Sequence, residues 1–119
     1  MTTNYIGLHQ HLEKQITNLG NELSGPMSGF ARLHRKSVED GVLNGKTKEL
    51  IALAISVSTR CEGCISYHVH DAIRAGATRS EMIEAIGVEI MMAGVPAAVY
   101  ATYAMDAIEQ FSEAPNLKE

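Results

Sequence analysis

Residues 47–58, and above all the run Leu50-Ile51-Ala52-Leu53-Ala54-Ile55, are apolar almost all the way round a helical turn. A helix with no polar face has to be enclosed by other elements, so this segment predicts a buried central helix from about Thr47 to Ser58. Glu49 is expected in its first turn. No β-type alternation of useful length competes, whereas helical spacing and helix punctuation recur through the chain. The expected fold class is therefore all-α: a compact bundle of five to six helices. A length of 119 residues supports one core and not two. The expectation is a single domain over 1–119, with its core at 41–111, N-terminal helices in 1–40 and a loose tail at 114–119.

The punctuation sets the expected boundaries. Leu8, Leu12, Ile16 and Leu19 share one face of a first helix from about Thr3 to Leu23, which Ser24-Gly25-Pro26 should end. A second segment turns Phe30, Leu33 and Val38 inward, and Leu43-Asn44-Gly45 closes it. Thr59 with Glu62, and Thr78 with Glu81, each show the hydroxyl and carboxylate spacing of a capping box. They predict two further helix starts, with Gly76 and Gly94 as stops and Pro96 opening a last helix. The stretches Ile90-Met91-Met92-Ala93 and Pro96–Ala101 are apolar on more than one face, more than so small a bundle covers alone, so a homo-oligomer is expected.

Charge and cysteine content narrow the function. The formal net charge is −4 and no Lys/Arg run exists, which leaves nothing to hold a polyanion; nucleic acid is not an expected partner. No apolar run reaches spanning length and the first twenty residues do not read as a signal peptide, so no membrane partner and a cytoplasmic location are expected. The two cysteines form one Cys61-Glu62-Gly63-Cys64 motif, which in a reducing compartment reads as redox-active or metal-binding.

At about 100° per residue, Cys61, Cys64 and His68 lie within roughly 60° of one another on a helix, on the face shared with Ile65 and Ala72. Free backbone donors and the helix dipole near a helix start stabilise a thiolate. His68, four residues after Cys64, is a candidate base. Glu49, in the first turn of the mostly buried preceding helix, is the carboxylate expected to fix its tautomer. His70 points about 160° away from His68 and is left out of the site. His9, His11 and His34 read as surface or packing residues. A structural zinc site needs four ligands, and at most Cys61, Cys64 and His68 converge, so no metal and no bound cofactor are expected. Position at the helix start favours Cys61 as the more acidic thiol, whereas proximity to His68 favours Cys64.

Glu49, Cys61, Cys64 and His68 reproduce an E-x11-C-x-x-C-x3-H pattern. In this the chain resembles the alkylhydroperoxidase D-like branch of the carboxymuconolactone decarboxylase superfamily over about Gly41 to Phe111, including the Ala75-Gly76-Ala77-Thr78 turn. The resemblance implies a trimer or hexamer and a peroxiredoxin-type, disulfide-cycling peroxidase in which Cys64 attacks peroxide and Cys61 resolves it. A hydroperoxide or disulfide would be the substrate and an external dithiol or protein the reductant. Gly63 departs from the best-known member, which has a relay histidine directly before the second cysteine. Alternatives are a general protein-disulfide reductase, a redox-sensing oligomer without turnover and, less favoured, the lactone decarboxylation for which the superfamily is named.

Overall fold

The computed structural model describes residues 2–114. They form six helices and, among the described residues, no strand: α1 (Tyr5–Glu22), α2 (Ser24–Val38), α3 (Gly45–Ser58), α4 (Glu62–Arg74), α5 (Arg79–Ala93) and α6 (Val95–Glu113). The all-α expectation holds, at the upper end of the anticipated helix number. Residues 115–119 of the expected tail lie outside the described residues.

As its composition requires, α3 runs through the middle, with Leu53 and Val57 fully buried between α4 and α5. Around it, α4 contributes Ile65, Val69 and Ala72, and α5 Met82 and Ile86. In α6, Ala101, Ala104 and Ala107 form a small-residue stripe beside Ile108 and Phe111. Tyr5 fastens the start of α1 to both neighbours: its backbone N–H donates to Gln110 Oε1 at 2.7 Å and its hydroxyl to Glu62 Oε1 at 2.9 Å. Buried among polar partners, the Tyr5 hydroxyl is held well above its ordinary pKa, first by burial and then by the Glu62 hydrogen bond.

Local signals account for most helix ends. Asn4 and Asn44 accept N–H bonds from Gly7 and Thr47 at 3.0 and 2.8 Å, which caps α1 and α3. Thr78 and Glu81 form the full capping box that opens α5. Gly76, at φ +95°, ends α4 in a left-handed turn in which Ala77 N–H donates to Ala72 O.

Four expectations need correction. α1 ends at Glu22, within a residue of the expected bound, but Ser24-Gly25-Pro26 is not only a stop: it opens α2 after a one-residue break at Leu23. Proline is tolerated there because first-turn N–H groups have no partner within the helix. Thr59 does not cap α4: its hydroxyl donates back to Ile55 O at 3.0 Å, and the N-cap is Cys61. Glu49 lies beyond the first turn, since α3 begins at Gly45. Phe30 and Leu33 are 63% and 61% exposed and do not face inward, because α2 packs mainly on α1 and only lightly on α3. Within the stretches expected to be uncovered, Met91, Met92 and Val99 are exposed, and Val88 and Val95 beside them are exposed as well.

Candidate active site

The chain reversal between α3 and α4 sets the first cysteine. Arg60 adopts φ +56°, the left-handed conformation usually left to glycine. Arg60 N–H then donates to Val57 O at 3.1 Å and Cys61 N–H to Ser56 O at 3.2 Å. These two bonds complete a Schellman turn and deliver Cys61 to the cap of α4. There its sulfur takes the place of the usual oxygen, accepting the Cys64 N–H at 3.1 Å. Cys61 and Cys64 are joined as a disulfide, with Cα atoms 5.2 Å apart. The pair thus sits where free N–H groups and the positive end of the α4 dipole favour negative charge on sulfur.

The cysteines, with Gly63, Tyr67 and His68, form the α4 wall of a cavity of about 700 Å³. Its other walls are α1, through Leu12 and Ile16, and α2, through Met27, Phe30, Ala31 and His34. The lining is overwhelmingly apolar, and His68 and His34 are the imidazoles on it. Gly63 lets α1 approach: a Cβ there would stand 2.9 Å from Leu12 Cδ1. The position that holds a relay histidine in the resembling family is therefore packed under α1 here.

Behind the cavity wall, His68 Nδ1 faces Glu49 Oε1 at 3.5 Å. Both atoms are buried, and neither has a hydrogen-bond partner among the described residues. The structure therefore brings all four expected residues to one region: Cys61, Cys64 and His68 on the cavity and Glu49 directly behind the imidazole. Glu49 lies beyond the first turn of α3, so the usual dipole explanation for an acidic residue at a helix start does not apply to it. It is a buried carboxylate whose nearest counter-group is one imidazole.

His70 is turned away, as its helical angle requires. It stacks on His9 at a ring separation of 4.1 Å and meets Asp71 Oδ1 at 2.8 Å. His9 is buried and held below the ordinary histidine pKa, first by burial and then by His70. Two lining residues escaped the sequence reading. Tyr67, whose hydroxyl burial pushes up in pKa, could have been found from its place one residue before His68. His34 could not, because a chain reversal and not helical spacing brings α2 across the site.

Comparison with known proteins places this arrangement. The profile of the carboxymuconolactone decarboxylase family matches residues 26–107. An uncharacterised protein of Cupriavidus necator is 34% identical over 105 residues, spanning 88% of this chain and 93% of that one. Another, from the cox locus of Paracoccus denitrificans, is 36% identical over 85 residues, or 71% and 77% of the two chains. The apo crystal structure of a carboxymuconolactone decarboxylase family protein from Legionella pneumophila superposes with a TM-score of 0.88 at 36% identity, covering 92% of this chain and 97% of that one. A family member from Thermotoga maritima, described as a candidate for the antioxidative response, gives a TM-score of 0.70 at 26% identity over 83% and 91% of the two chains. The chain belongs to the carboxymuconolactone decarboxylase family, and its fold and cysteine motif are consistent with the alkylhydroperoxidase D-like branch.

Proposed function

We propose that the protein is a thiol-dependent peroxidase working through the Cys61–Cys64 couple. The observation that carries this reading is a disulfide at a helix N-terminus, opening on an apolar cavity beside an imidazole backed by a buried carboxylate. The Thermotoga family member supports it through its suggested antioxidative role.

In the reduced protein His68 takes the proton of the Cys64 thiol, and Glu49 orients the ring and balances the imidazolium. The thiolate attacks the terminal oxygen of a hydroperoxide ROOH. The O–O bond breaks, sulfur becomes a sulfenic acid, and the departing alkoxide leaves as ROH with the proton held by His68. The Cys61 thiol then displaces hydroxide from the sulfenic sulfur; water departs and the disulfide forms. Two thiols of an external dithiol reduce it, becoming a disulfide themselves. No bound cofactor enters the cycle. Assembly into a homo-oligomer, which would cover Val88, Met91, Met92 and Val95, belongs to the same proposal.

The test is steady-state consumption of an organic hydroperoxide with a dithiol reductant by wild type, Cys61→Ser, Cys64→Ser, His68→Ala and Glu49→Gln. Loss of turnover in both cysteine variants is expected. Unchanged rates in both would remove the peroxidase reading.

A further inference from the structure

Beside the dithiol cavity lies a second pocket of about 320 Å³, whose lining includes His34, Glu49, Asp71 and Arg74. His34 comes from α2, Glu49 from α3 and Asp71 from α4, and one ligand atom from each lies within 4.8 Å of the other two. From this convergence we infer that His34, Glu49 and Asp71 form a binding site for a borderline divalent cation of the zinc type.

The chemistry of the donor set points to that class. One imidazole nitrogen and two carboxylate oxygens suit zinc and its transition-metal neighbours, whereas magnesium and calcium call for oxygen alone. Zinc holds such donors at about 2.0–2.2 Å, which places them about 3.4 Å from one another in a tetrahedron. Closing the present spacing takes movements of roughly an ångström, and His34, on the exposed face of α2, has the freedom to make them.

A second observation is independent of the spacing. Glu49 lines this pocket with only 5% of its surface exposed. Its carboxylate makes no hydrogen bond among the described residues, and Oε1 is buried. A buried carboxylate is costly unless it is paired or coordinates a metal. Its nearest counter-group is His68 Nδ1, at 3.5 Å. The other carboxylate is already oriented: Asp71 Oδ1 meets His70 Nδ1 at 2.8 Å, the outer-shell contact that typically supports a ligating carboxylate. Arg74, the basic residue of the lining, is exposed.

The site shares Glu49 with the proposed peroxidase relay, and only this consequence rests on that reading. A cation bound to Glu49 draws on the negative charge that would otherwise balance the His68 imidazolium, so the loaded protein has a weaker base at His68. Cation occupancy and thiol turnover then oppose each other.

The experiment uses the disulfide form, in which both sulfurs are bonded and the dithiol cannot compete for metal. Zinc chloride is titrated calorimetrically into oxidised wild type, His34→Ala and Asp71→Asn, with circular dichroism confirming helicity in each. One zinc per chain is expected in wild type, with affinity more than about tenfold weaker in both variants, since losing even an outer-shell contact costs that much. The His34 ring resonances in imidazole nitrogen-correlated spectra should shift on zinc addition. Absence of stoichiometric binding to oxidised wild type, or undiminished affinity in His34→Ala, overturns the site. Because no turnover is measured, failure here and failure of the peroxidase assay are distinguishable.

Discussion

The contact between Gly63 and Leu12 sets two effects of similar size against each other, which makes it a quantitative test of how α1 is held over the dithiol. Replacing Gly63 with Ala in α4 gains about 0.5–1 kcal/mol from lost backbone freedom in the unfolded chain. Against that, the new Cβ would stand 2.9 Å from Leu12 Cδ1, whereas carbon atoms pack best at about 3.5–4.0 Å. Overpacking typically costs about 1–3 kcal/mol. Leu12 borders the cavity and can swing into it, so the lower end, about 1 kcal/mol, applies. Gly63→Ala should therefore be neutral or destabilising by up to about 0.5 kcal/mol in the wild-type background. In a Leu12→Ala background the clash is gone and the same change should stabilise by about 0.5–1 kcal/mol. The resulting coupling of about 1 kcal/mol corresponds to about 4 °C in Tm for a chain of this length. Thermal and urea unfolding of the four disulfide-form proteins measures it. Equal effects of Gly63→Ala in the two backgrounds, within about 0.3 kcal/mol, would show that Leu12 is not what this glycine makes room for.

Four further outcomes follow from the structure. His9 is held below the ordinary histidine pKa of about 6.5 by burial and His70, with Glu13 and Asp71 opposing. The unfolded chain therefore takes up a proton that the folded chain refuses, and stability present above that pH is lost as pH falls through it; Tm scans should show this, and His9→Phe should flatten it. Arg60→Gly relieves the left-handed residue before Cys61 and should raise stability by about 0.5–1 kcal/mol in urea unfolding. Glu89 is buried with both carboxylate oxygens unpartnered among the described residues and is held above the ordinary carboxylate pKa by burial, so its contribution worsens as pH rises through that window. Glu89→Met should stabilise the protein at neutral pH by about 1–3 kcal/mol, with the gain shrinking in acid. His68→Ala should lower kcat for hydroperoxide by about 10²–10⁴, the usual weight of a general base, without loss of helicity by circular dichroism.

What could be read from the chain follows the range of the forces involved. The Thr78–Glu81 capping box, the Gly76 stop and the enclosure of α3 are consequences of neighbours in sequence, and each was legible. The Thr59–Glu62 pattern failed because a longer reversal outcompeted it. With Arg60 in the left-handed region, Thr59 is still closing α3, and Cys61 inherits the cap. Phe30 and Leu33 misled for the opposite reason: their spacing is that of a packed face, but α2 has little of this chain to pack against. Among the candidate site residues, the angular grouping of Cys61, Cys64 and His68 came from helix geometry, and the pairing of Glu49 with His68 from its place in the buried preceding helix, to which the family pattern added support. His34 depends on how α2 folds across α4, and no local spacing encodes that.

The sulfur cap on α4 has a consequence for the backbone. In the reduced pair the charge left on Cys64 is shared with Cys61 through a thiol–thiolate hydrogen bond, and sulfur carrying negative charge is a stronger acceptor than a disulfide sulfur, so the bond from Cys64 N–H to Cys61 Sγ should tighten when electrons enter the couple and slacken when they leave. The opening turn of one helix is thereby tied to electron count, and the amide of a single residue becomes a gauge of it. Proton exchange at that one position, slower in the reduced protein than in the oxidised, would display the redox state of the molecule without any reference to its substrate.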